Sequence, residues 1–363
     1  MKLNIIFFLG IVVLGGLSCK DSGKNQLKVE DDYFINPIFS SGSNPNALFY
    51  GGKYYYTHET NDMILLWETN DITDMGSAVC KEVWRPADPK SMHNLWAPEI
   101  HRINDKWYIY YAADDGNTDN HQIYVLENDA RTPMEGTFKQ KGPIMTNQEW
   151  NWGIHASTFV HKGVQYLIWS GWPKRRIMEE TQCIYIAKMK NPWTLDGERI
   201  MLSSPEYNWE RQWVNPDGSR TAYPIYVNEA PTFLYSKDKK NLIIYYSASG
   251  CWSYYCIGML SCSADADLLD PKSWKKATDP VFYQSPQDSV WGPGSPSFIP
   301  SPDSTEWYML YNARNIPNGI TGESESRTPR LQKISWDENN MPILGKPVRL
   351  GKPLPKPSGI VKK

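Results

Sequence analysis

Short apolar runs alternate with polar, turn-forming segments along the chain, and one such arrangement recurs five times. Each copy contains an apolar run, a turn carrying Gly, Asn, Asp or Lys, and a second run dense in Tyr, Trp, Ile and Leu, a pattern typical of a β-hairpin. The copies begin at Asn44-Pro45, Ala97-Pro98, Ala156-Ser157, Ala230-Pro231 and Ser295-Pro296. Their second positions lie 53, 59, 74 and 65 residues apart. A period of this size predicts an all-β fold, a five-bladed β-propeller.

The repeats predict a single domain. A chain of 363 residues with 40% hydrophobic and 13% aromatic content can bury a large core, and the repeated pattern runs through nearly all of it. We assign residues 33–351 to the propeller and 352–363 to a proline-rich tail that either packs along its outside or remains free. Residues 203–223 form the longest insertion between hairpins, and a long propeller loop is expected to wall a pocket.

Composition bears on the partner. The 38 Lys and Arg residues nearly balance the 40 Asp and Glu residues, and no basic run stands out, so nucleic acid is not expected as a partner. The 16 Trp and 22 Tyr residues supply flat rings suited to sugar faces, although strands favour aromatic residues for structural reasons as well.

The first residues predict export. Lys2 precedes an apolar run too short to span a bilayer, so we interpret residues 1–18 as a secretory signal peptide. Cys19 follows small residues, as at the acylation site of a bacterial lipoprotein, and residues 19–32 then form a tether. The expected location is periplasmic or at the cell surface, with a lipid on Cys19 as the sole membrane attachment.

The remaining cysteines are odd in number, so at least one is unpaired. They stand at positions 80, 183, 251, 256 and 262. Cys251 and Cys256 flank a four-residue segment and are candidates for a bridge in an oxidising compartment. No Cys or His spacing suggests zinc.

Several segments, in order from about residue 36 to 350, together resemble one known family. They are Trp96-Ala-Pro-Glu-Ile-His, Ile123-Tyr-Val-Leu-Glu, Val227-Asn-Glu-Ala-Pro-Thr, Tyr246-Ser-Ala-Ser, Ile257-Gly-Met-Leu, Ala264-Asp-Ala-Asp-Leu-Leu, Gly292-Pro-Gly and Arg327-Thr-Pro-Arg-Leu-Gln-Lys. The family is glycoside hydrolase family 43, and the resemblance is greatest to its exo-acting α-L-arabinofuranosidases. It implies a five-bladed propeller, a pocket at its axis and hydrolysis of glycosidic bonds with inversion.

Inversion requires one protonated carboxyl group for the leaving oxygen and one ionised group for water, about 6.5–9.5 Å apart. The resemblance assigns the acid to Glu229, because Asn228-Glu229-Ala230-Pro231 matches the family segment that supplies it. At the start of an apolar strand this carboxyl group should be partly desolvated, which should raise its pKa.

Three positions differ from the family at the expected pocket. The family has its catalytic base, an Asp, where this chain has Asn44, and an amide can position water but cannot accept its proton. It has an Asp in the third repeat, where this chain has His155, and a His near a central metal or water site, where this chain has Ser295. No cofactor is assigned; a calcium ion at the axis stays an alternative, although the Ser295 replacement removes the feature that would argue for it.

A different group would then have to act as the base. His155 could replace it or tune the acid, since an imidazole has an ordinary pKa of about 6.5. His58, Glu59 and Asp62 follow the first aromatic strand and are weaker candidates. A structural role is the alternative for each of them.

Sugar contacts are assigned to residues near the same pocket. Trp96 lies at the inner end of its strand and is the first candidate, and Trp291 precedes the Gly-Pro-Gly turn. Trp150 and Trp152 are expected to contribute to the wall. Asp62 is a further candidate, and either Arg327 or Arg330 is expected to orient a carboxylate or a hydroxyl group.

Three functions remain open from the sequence. The first is an exported glycoside hydrolase that acts on the side chains of plant-type polysaccharides or oligosaccharides, with Glu229 as acid and a non-standard base. The second is a catalytically disabled propeller that binds a glycan. The third is a structural propeller, which the retained acid segment disfavours. We predict the hydrolase.

Overall fold

The structure is a computed structural model that describes residues 31–175, 180–211, 225–317 and 327–361. The predicted signal peptide, Cys19 and nearly all of the tether lie outside the described residues, as does most of the predicted insertion. Within the described ranges, the regular elements are β-strands and short 3₁₀ helices. The 3₁₀ helices are Met75–Ser77, Thr118–Asn120, Asn208–Glu210, Pro271–Ser273 and Pro286–Asp288. None of these helices has the length and hydropathy needed to cross a membrane.

The first strand, β1 (Tyr33–Phe34), lies outside the repeated units. Blade 1 follows as an antiparallel sheet of β2 (Asn46–Tyr50), β3 (Lys53–Thr57), β4 (Ile64–Thr69) and β5 (Val79–Trp84). Blade 2 has the same order in β6 (His93–Ile103), β7 (Lys106–Asp114), β8 (Gln122–Asn128) and β9 (Lys139–Pro143).

Blades 3 and 4 are joined at one edge. Blade 3 contains β10 (Gly153–His161), β11 (Val164–Gly171), β12 (Glu180–Asn191), β13 (Thr194–Leu195) and β14 (Ile200–Ser203). Blade 4 contains β15 (Ile225–Tyr235), β16 (Asn241–Ala248), β17 (Cys256–Ser263) and β18 (Lys275–Lys276). A short parallel pairing of β12 with β15 connects the two sheets.

Blade 5 contains β19 (Trp291–Pro300), β20 (Trp307–Arg314) and β21 (Thr328–Lys333). A small hairpin of β22 (Ser335–Trp336) and β23 (Pro342–Ile343) follows, and β24 (Leu354–Pro355) ends the order of strands. The hairpins predicted from the repeats therefore correspond to β2–β3, β6–β7, β10–β11, β15–β16 and β19–β20.

The blades pack through their strand faces. Among the described residues, five apolar clusters each lie between two consecutive blades, and one of them joins blade 5 to blade 1. Successive side chains of a strand point to opposite faces of the sheet, so each blade contributes to the cluster on either side of it. In β3, Tyr54 and Tyr56 face blade 5, whereas Tyr55 faces blade 2. Because the last cluster closes the ring, the prediction of an all-β, five-bladed propeller is confirmed.

The proline-rich tail is part of the closed ring. Its strand β24 pairs with β1, and the backbone N–H of Lys356 donates to Asp32 O at 3.0 Å. Lys356 Nζ lies 3.0 Å from Asp71 Oδ2 in blade 1, and Ser358 N donates to Glu306 Oε2 in blade 5 at 3.1 Å. Of the two expectations for residues 352–363, packing along the outside is the one observed for the part that the structure describes.

The beginning of the predicted insertion is held by a buried carboxylate. Glu210 is fully buried, accepts a hydrogen bond from Tyr207 N at 2.8 Å and another from Tyr246 OH at 2.9 Å, and lies 2.8 Å from Lys276 Nζ. These contacts fix residues 203–211 against blade 4. Residues 212–224 lie outside the described ranges.

The candidate bridge between Cys251 and Cys256 is not formed. Cys256 is a free, fully buried thiol in β17, where its Sγ is directed at Ala248 O, 3.9 Å away on the neighbouring strand. Burial raises the pKa of this thiol and raises that of Cys262 to about 12. Cys256 is thus held inside the sheet by the strand pairing, away from the loop that carries Cys251.

Candidate functional site

The innermost strand of each blade reaches the axis through the same backbone feature. One residue in each copy has a left-handed conformation, with φ between 47° and 53°. These residues are Asn44, Ala97, His155, Ala230 and Ser295. In blades 2 to 5 the ladder register also skips at this point, which is the mark of a β-bulge. Non-glycine residues adopt this conformation at a cost of roughly 1–2 kcal/mol, and bulges re-aim side chains beside functional sites.

The third copy begins one residue earlier than predicted. We expected it at Ala156-Ser157, but the left-handed residue is His155, followed by Ala156. His155 is therefore the equivalent of Asn44, and Ile154 is the equivalent of Glu229. The sequence concealed this phase because the other four copies have proline after the left-handed residue and this one has alanine.

These bulges surround a cavity of ≈ 310 Å³ at the axis. Its polar lining includes Asn44, Glu59, His155, Gln182, Glu229 and Arg327. Its aromatic lining consists of Trp96, Trp152, Trp172 and Trp252. The volume is at the small end of the range for ligand pockets, about 300–1,000 Å³, so the cavity suits a small ligand better than a long polymer segment.

Two tryptophans form a stacked pair in the wall. The rings of Trp152 and Trp172 are 4.3 Å apart between centroids and 8° from parallel, and both side chains are buried. Trp152 Nε1 donates to Thr118 O at 2.9 Å, which fixes the pair. On another part of the wall, the ring of Trp96 lies 4.1 Å from that of His121. Trp96 and Trp152 were predicted for the site, whereas Trp172 was not.

Glu229 lies in the cavity wall with a buried tyrosine beside it. The residue is 8% exposed, and Tyr255 OH donates to its Oε1 at 2.7 Å. Burial, and next the charge of Glu229, hold the pKa of Tyr255 well above its ordinary value, so its hydroxyl group remains a donor. A Cβ at Gly294 would lie 2.1 Å from the Tyr255 ring, so glycine at that position is needed for the tyrosine to fit.

Asn44 is held by a hydrogen-bond network. Its Oδ1 accepts from Ser295 Oγ at 2.6 Å, and its Nδ2 donates to Glu59 Oε2 at 2.6 Å. Its backbone N–H donates to Asn312 Oδ1 at 2.9 Å. Ser295 Oγ also lies 3.4 Å from Tyr255 OH, so a continuous series of polar contacts connects Glu59 with Glu229.

The two histidines considered as bases occupy different surroundings. His155 lines the cavity, and its Nε2 lies 4.0 Å from Glu229 Oε2. Burial, and then the charges of Arg327 and His121, lower the pKa of His155 to about 3. His58 is buried outside the cavity, stacked on Trp67 with centroids 4.8 Å apart, and burial lowers its pKa to about 4.

Three residues assigned to sugar binding lie outside the cavity. Asp62 has 63% of its side chain exposed and pairs with Arg85 at 3.4 Å. Arg330 is fully buried within blade 5, where Nη2 donates to Asn315 Oδ1 at 2.6 Å; Arg327, just before the strand, lines the cavity instead.

Trp291 is also outside the lining, and Trp252 lines the cavity. Gly292 has φ 54° and packs directly against the backbone carbonyl group of Trp252. This close approach lets the loop before β17 place Trp252 in the cavity wall. The sequence did not single out Trp252 or Tyr255, because they stand in a loop outside the repeated pattern. Trp150 is 38% exposed, with the Arg175 guanidinium 5.3 Å above its ring.

The side chains at the axis do not fit a metal ion. In the described part of the chain, no group of three or more His, Cys, Asp or Glu side chains is arranged to hold one. Ser295, which replaces the expected His, directs its hydroxyl group at the Asn44 amide.

The cavity combines tryptophan faces with carboxylates on different blades, Glu59 on blade 1 and Glu229 on blade 4. Together, a closed propeller and an axial cavity of this kind define the class of carbohydrate-active propeller proteins, in which paired carboxyl groups perform glycoside hydrolysis. The family model of the glycosyl hydrolases family 43 matches residues 34–342. The chain belongs to glycoside hydrolase family 43.

Individual relatives agree with this assignment. The chain is 34% identical over 328 residues to an extracellular exo-α-(1→5)-L-arabinofuranosidase of Streptomyces avermitilis, covering 88% of this chain and 64% of the relative. It thus spans slightly less than two thirds of that relative. A protein of the same name from Streptomyces chartreusis is 33% identical, with 77% of this chain and 82% of the relative covered. The crystal structure of an α-L-arabinofuranosidase from Lactobacillus brevis superposes with a TM-score of 0.79 at 30% identity, covering 88% of this chain and 98% of that one.

Proposed function

We propose that this chain is a glycoside hydrolase of α-L-arabinofuranosidase type, which removes arabinofuranosyl units from side chains of plant-type polysaccharides or oligosaccharides. The observation that carries the proposal is the position of Glu229, buried in a small tryptophan-walled cavity with Tyr255 OH 2.7 Å from its carboxylate. The relatives named arabinofuranosidases support the choice of sugar.

In the proposed reaction, the Glu229 carboxyl group donates its proton to the glycosidic oxygen as the bond to the anomeric carbon breaks. A water molecule attacks the opposite face of the sugar, which inverts the configuration. The tryptophan faces hold the sugar and exclude other water. The small cavity volume favours removal of a terminal unit over cleavage within a chain.

The test is release of monosaccharide from arabino-, xylo- and galacto-oligosaccharides by the wild type, Glu229→Gln and the exposed control Glu338→Gln. We expect arabinose from the first panel, with kcat reduced by about 10²–10⁴ in Glu229→Gln and unchanged in Glu338→Gln. A 4-nitrophenyl arabinoside should restore much of the Glu229→Gln activity, because its leaving group needs little protonation. If the wild type releases no sugar but binds one of these glycans, the chain is the glycan-binding propeller that the sequence left open.

We also propose export and lipid attachment at Cys19, on the basis of the leader-like pattern of residues 1–18 and the extracellular names of relatives. Labelling of cells with a palmitate analogue should mark the protein, and Cys19→Ala should abolish the label. Retention of an uncleaved, unlabelled wild-type protein in the cytoplasm would contradict this.

A further inference from the structure

Glu59 is the second carboxylate of the cavity, and it is held against Asn44. β3 ends at Thr57, and the chain then turns so that Glu59 N donates to Ser43 O at 3.0 Å. This backbone bond sets Glu59 beside Asn44, whose Nδ2 donates to Glu59 Oε2 at 2.6 Å. Both side chains line the cavity that contains Glu229.

The identity of residue 44 matters for the charge of Glu59. An aspartate at this position would set two carboxyl groups in hydrogen-bond contact. At such a short distance the two groups cannot both ionise, because their negative charges repel each other. The amide removes the competing charge and donates to Glu59. Ser295 Oγ fixes this orientation, because it donates to Asn44 Oδ1 and so directs Nδ2 at Glu59. Asn44 and Glu59 therefore form a matched pair with one negative charge.

We propose that Glu59 is the general base of this enzyme, with Asn44 as the residue that positions it and the attacking water. This rests on the proposed hydrolase function. The water oxygen forms the new bond to the anomeric carbon, and its proton passes to the Glu59 carboxylate. The bond from that carbon to the leaving oxygen breaks, and the leaving oxygen takes the Glu229 proton. The products are a sugar of inverted configuration and an alcohol, and exchange with solvent restores both carboxyl groups.

His155 does not satisfy the geometry of a base. In an inverting enzyme the acid and the base act on opposite faces of the sugar, about 6.5–9.5 Å apart. His155 Nε2 is 4.0 Å from Glu229 Oε2, so it belongs to the acid's side of the cavity. Burial beside Arg327 and His121 also lowers its pKa to about 3, which leaves a weakly basic imidazole. Glu59 belongs to a different blade and contacts the first-blade position where the family has its base.

The test compares Glu59→Gln with Asp62→Asn, an exposed carboxylate three residues away on the same loop. We expect kcat of Glu59→Gln to fall by about 10²–10⁴ with KM nearly unchanged, and Asp62→Asn to match the wild type. A 4-nitrophenyl leaving group should not restore Glu59→Gln, in contrast to Glu229→Gln. Sodium azide should restore turnover, with a glycosyl azide of inverted configuration as product, because azide attacks without losing a proton. A merely structural role for Glu59 would show no azide rescue.

A second variant keeps the proposal testable if Glu59→Gln folds poorly. Asn44→Asp/Glu59→Gln exchanges the amide and the carboxylate and retains one charge, so it should exceed Glu59→Gln in kcat by at least about tenfold. Glu59→Gln with wild-type kcat would overturn the proposal while Glu229→Gln remained inactive, leaving the hydrolase function intact. Absence of turnover in the wild type would overturn both.

Discussion

Ser295 Oγ donates a hydrogen bond to Asn44 Oδ1 at 2.6 Å, although the two residues are 251 positions apart in the chain. The bond joins the innermost strand of the last blade to the segment directly before the innermost strand of the first blade. It also fixes the orientation of the Asn44 amide group, and therefore the hydrogen bond that Asn44 Nδ2 donates to Glu59. Ring closure and the geometry of the candidate base thus depend on the same contact.

Ser295→Ala should separate these two effects when it is compared with Ser297→Ala. Ser297 Oγ donates to Pro45 O at 2.9 Å, so it also joins blade 5 to blade 1 but does not touch the amide group. Each variant should lower the free energy of unfolding by about 1–2 kcal/mol, because it leaves a buried acceptor without its donor. Only Ser295→Ala should also lower kcat, by about tenfold. Equal kcat in the two variants would show that the orientation of Asn44 is unimportant.

Tyr255→Phe should change the pH dependence of catalysis. The hydroxyl group of Tyr255 favours the charged form of the Glu229 carboxyl group, so its removal should move the alkaline limb of kcat/KM to higher pH by about one unit. The matched control is Tyr245→Phe, which removes the hydroxyl group of a tyrosine buried between blades 4 and 5. Profiles measured from pH 4 to 9 should differ from the wild type only for Tyr255→Phe. An unchanged limb would mean that Tyr255 is not coupled to the acid.

Trp172→Ala should weaken sugar binding, because it removes one ring of the stacked pair in the cavity wall. We expect KM to rise by about tenfold, corresponding to about 1.4 kcal/mol, with a smaller change in kcat. Trp291→Ala should leave both constants within about twofold of the wild type, since Trp291 is outside the cavity lining. Steady-state kinetics on an arabino-oligosaccharide measure both. A larger effect of Trp291→Ala than of Trp172→Ala would contradict the assignment of Trp172, and not Trp291, to the cavity wall.

The sequence repeats predicted those cavity residues that stand at the start of a repeated hairpin. Asn44, Trp96 and Glu229 stand at or just before the left-handed residue of their copies, and the structure brings all three to the cavity. The third copy was misplaced by one residue because its proline is absent. His58, Glu59 and Asp62 were predicted because they follow the first aromatic strand, yet of these three only Glu59 lines the cavity.

Contacts made by loops could not be read from the repeat. Trp252 and Trp172 reach the cavity, and Tyr255 reaches the Glu229 carboxylate, from segments with no fixed offset from the repeated hairpin. Gly292 and Gly294 were the only sequence features considered that indicate this packing. A Cβ at either position would clash with the segment that carries Trp252 and Tyr255. Tertiary packing decides which side chain fills the space beside a glycine. The identity of that side chain could therefore not be predicted from the sequence alone.

Stability should fall in mild acid because of the buried histidines. The pKa of His58 is lowered to about 4 by burial, and in the unfolded chain it returns to about 6.5. Between these values the unfolded state binds more protons, so stability decreases as the pH falls from about 6.5 towards 4. His58→Gln should reduce the difference in unfolding free energy between pH 8 and pH 5 by about 2 kcal/mol. Exposed His93→Gln serves as the control in urea titrations at both pH values, and an equal reduction there would contradict the assignment.

Removal of residues 352–363 should destabilise the propeller, because the tail bridges its first and last blades. Its strand pairs with β1, and Lys356 and Ser358 contact Asp71 of blade 1 and Glu306 of blade 5. Loss of these contacts should lower Tm by roughly 3–5 °C, since about 1 kcal/mol corresponds to a few degrees in a large domain. Lys356→Ala should account for part of this decrease, because its half-buried ion pair is lost, whereas exposed Lys352→Ala should have no effect. The cavity residues are all on the blades and their loops, so the truncated protein should retain its kcat below its Tm. An unchanged Tm would mean that the tail rests on a ring already closed by the apolar cluster between blades 5 and 1.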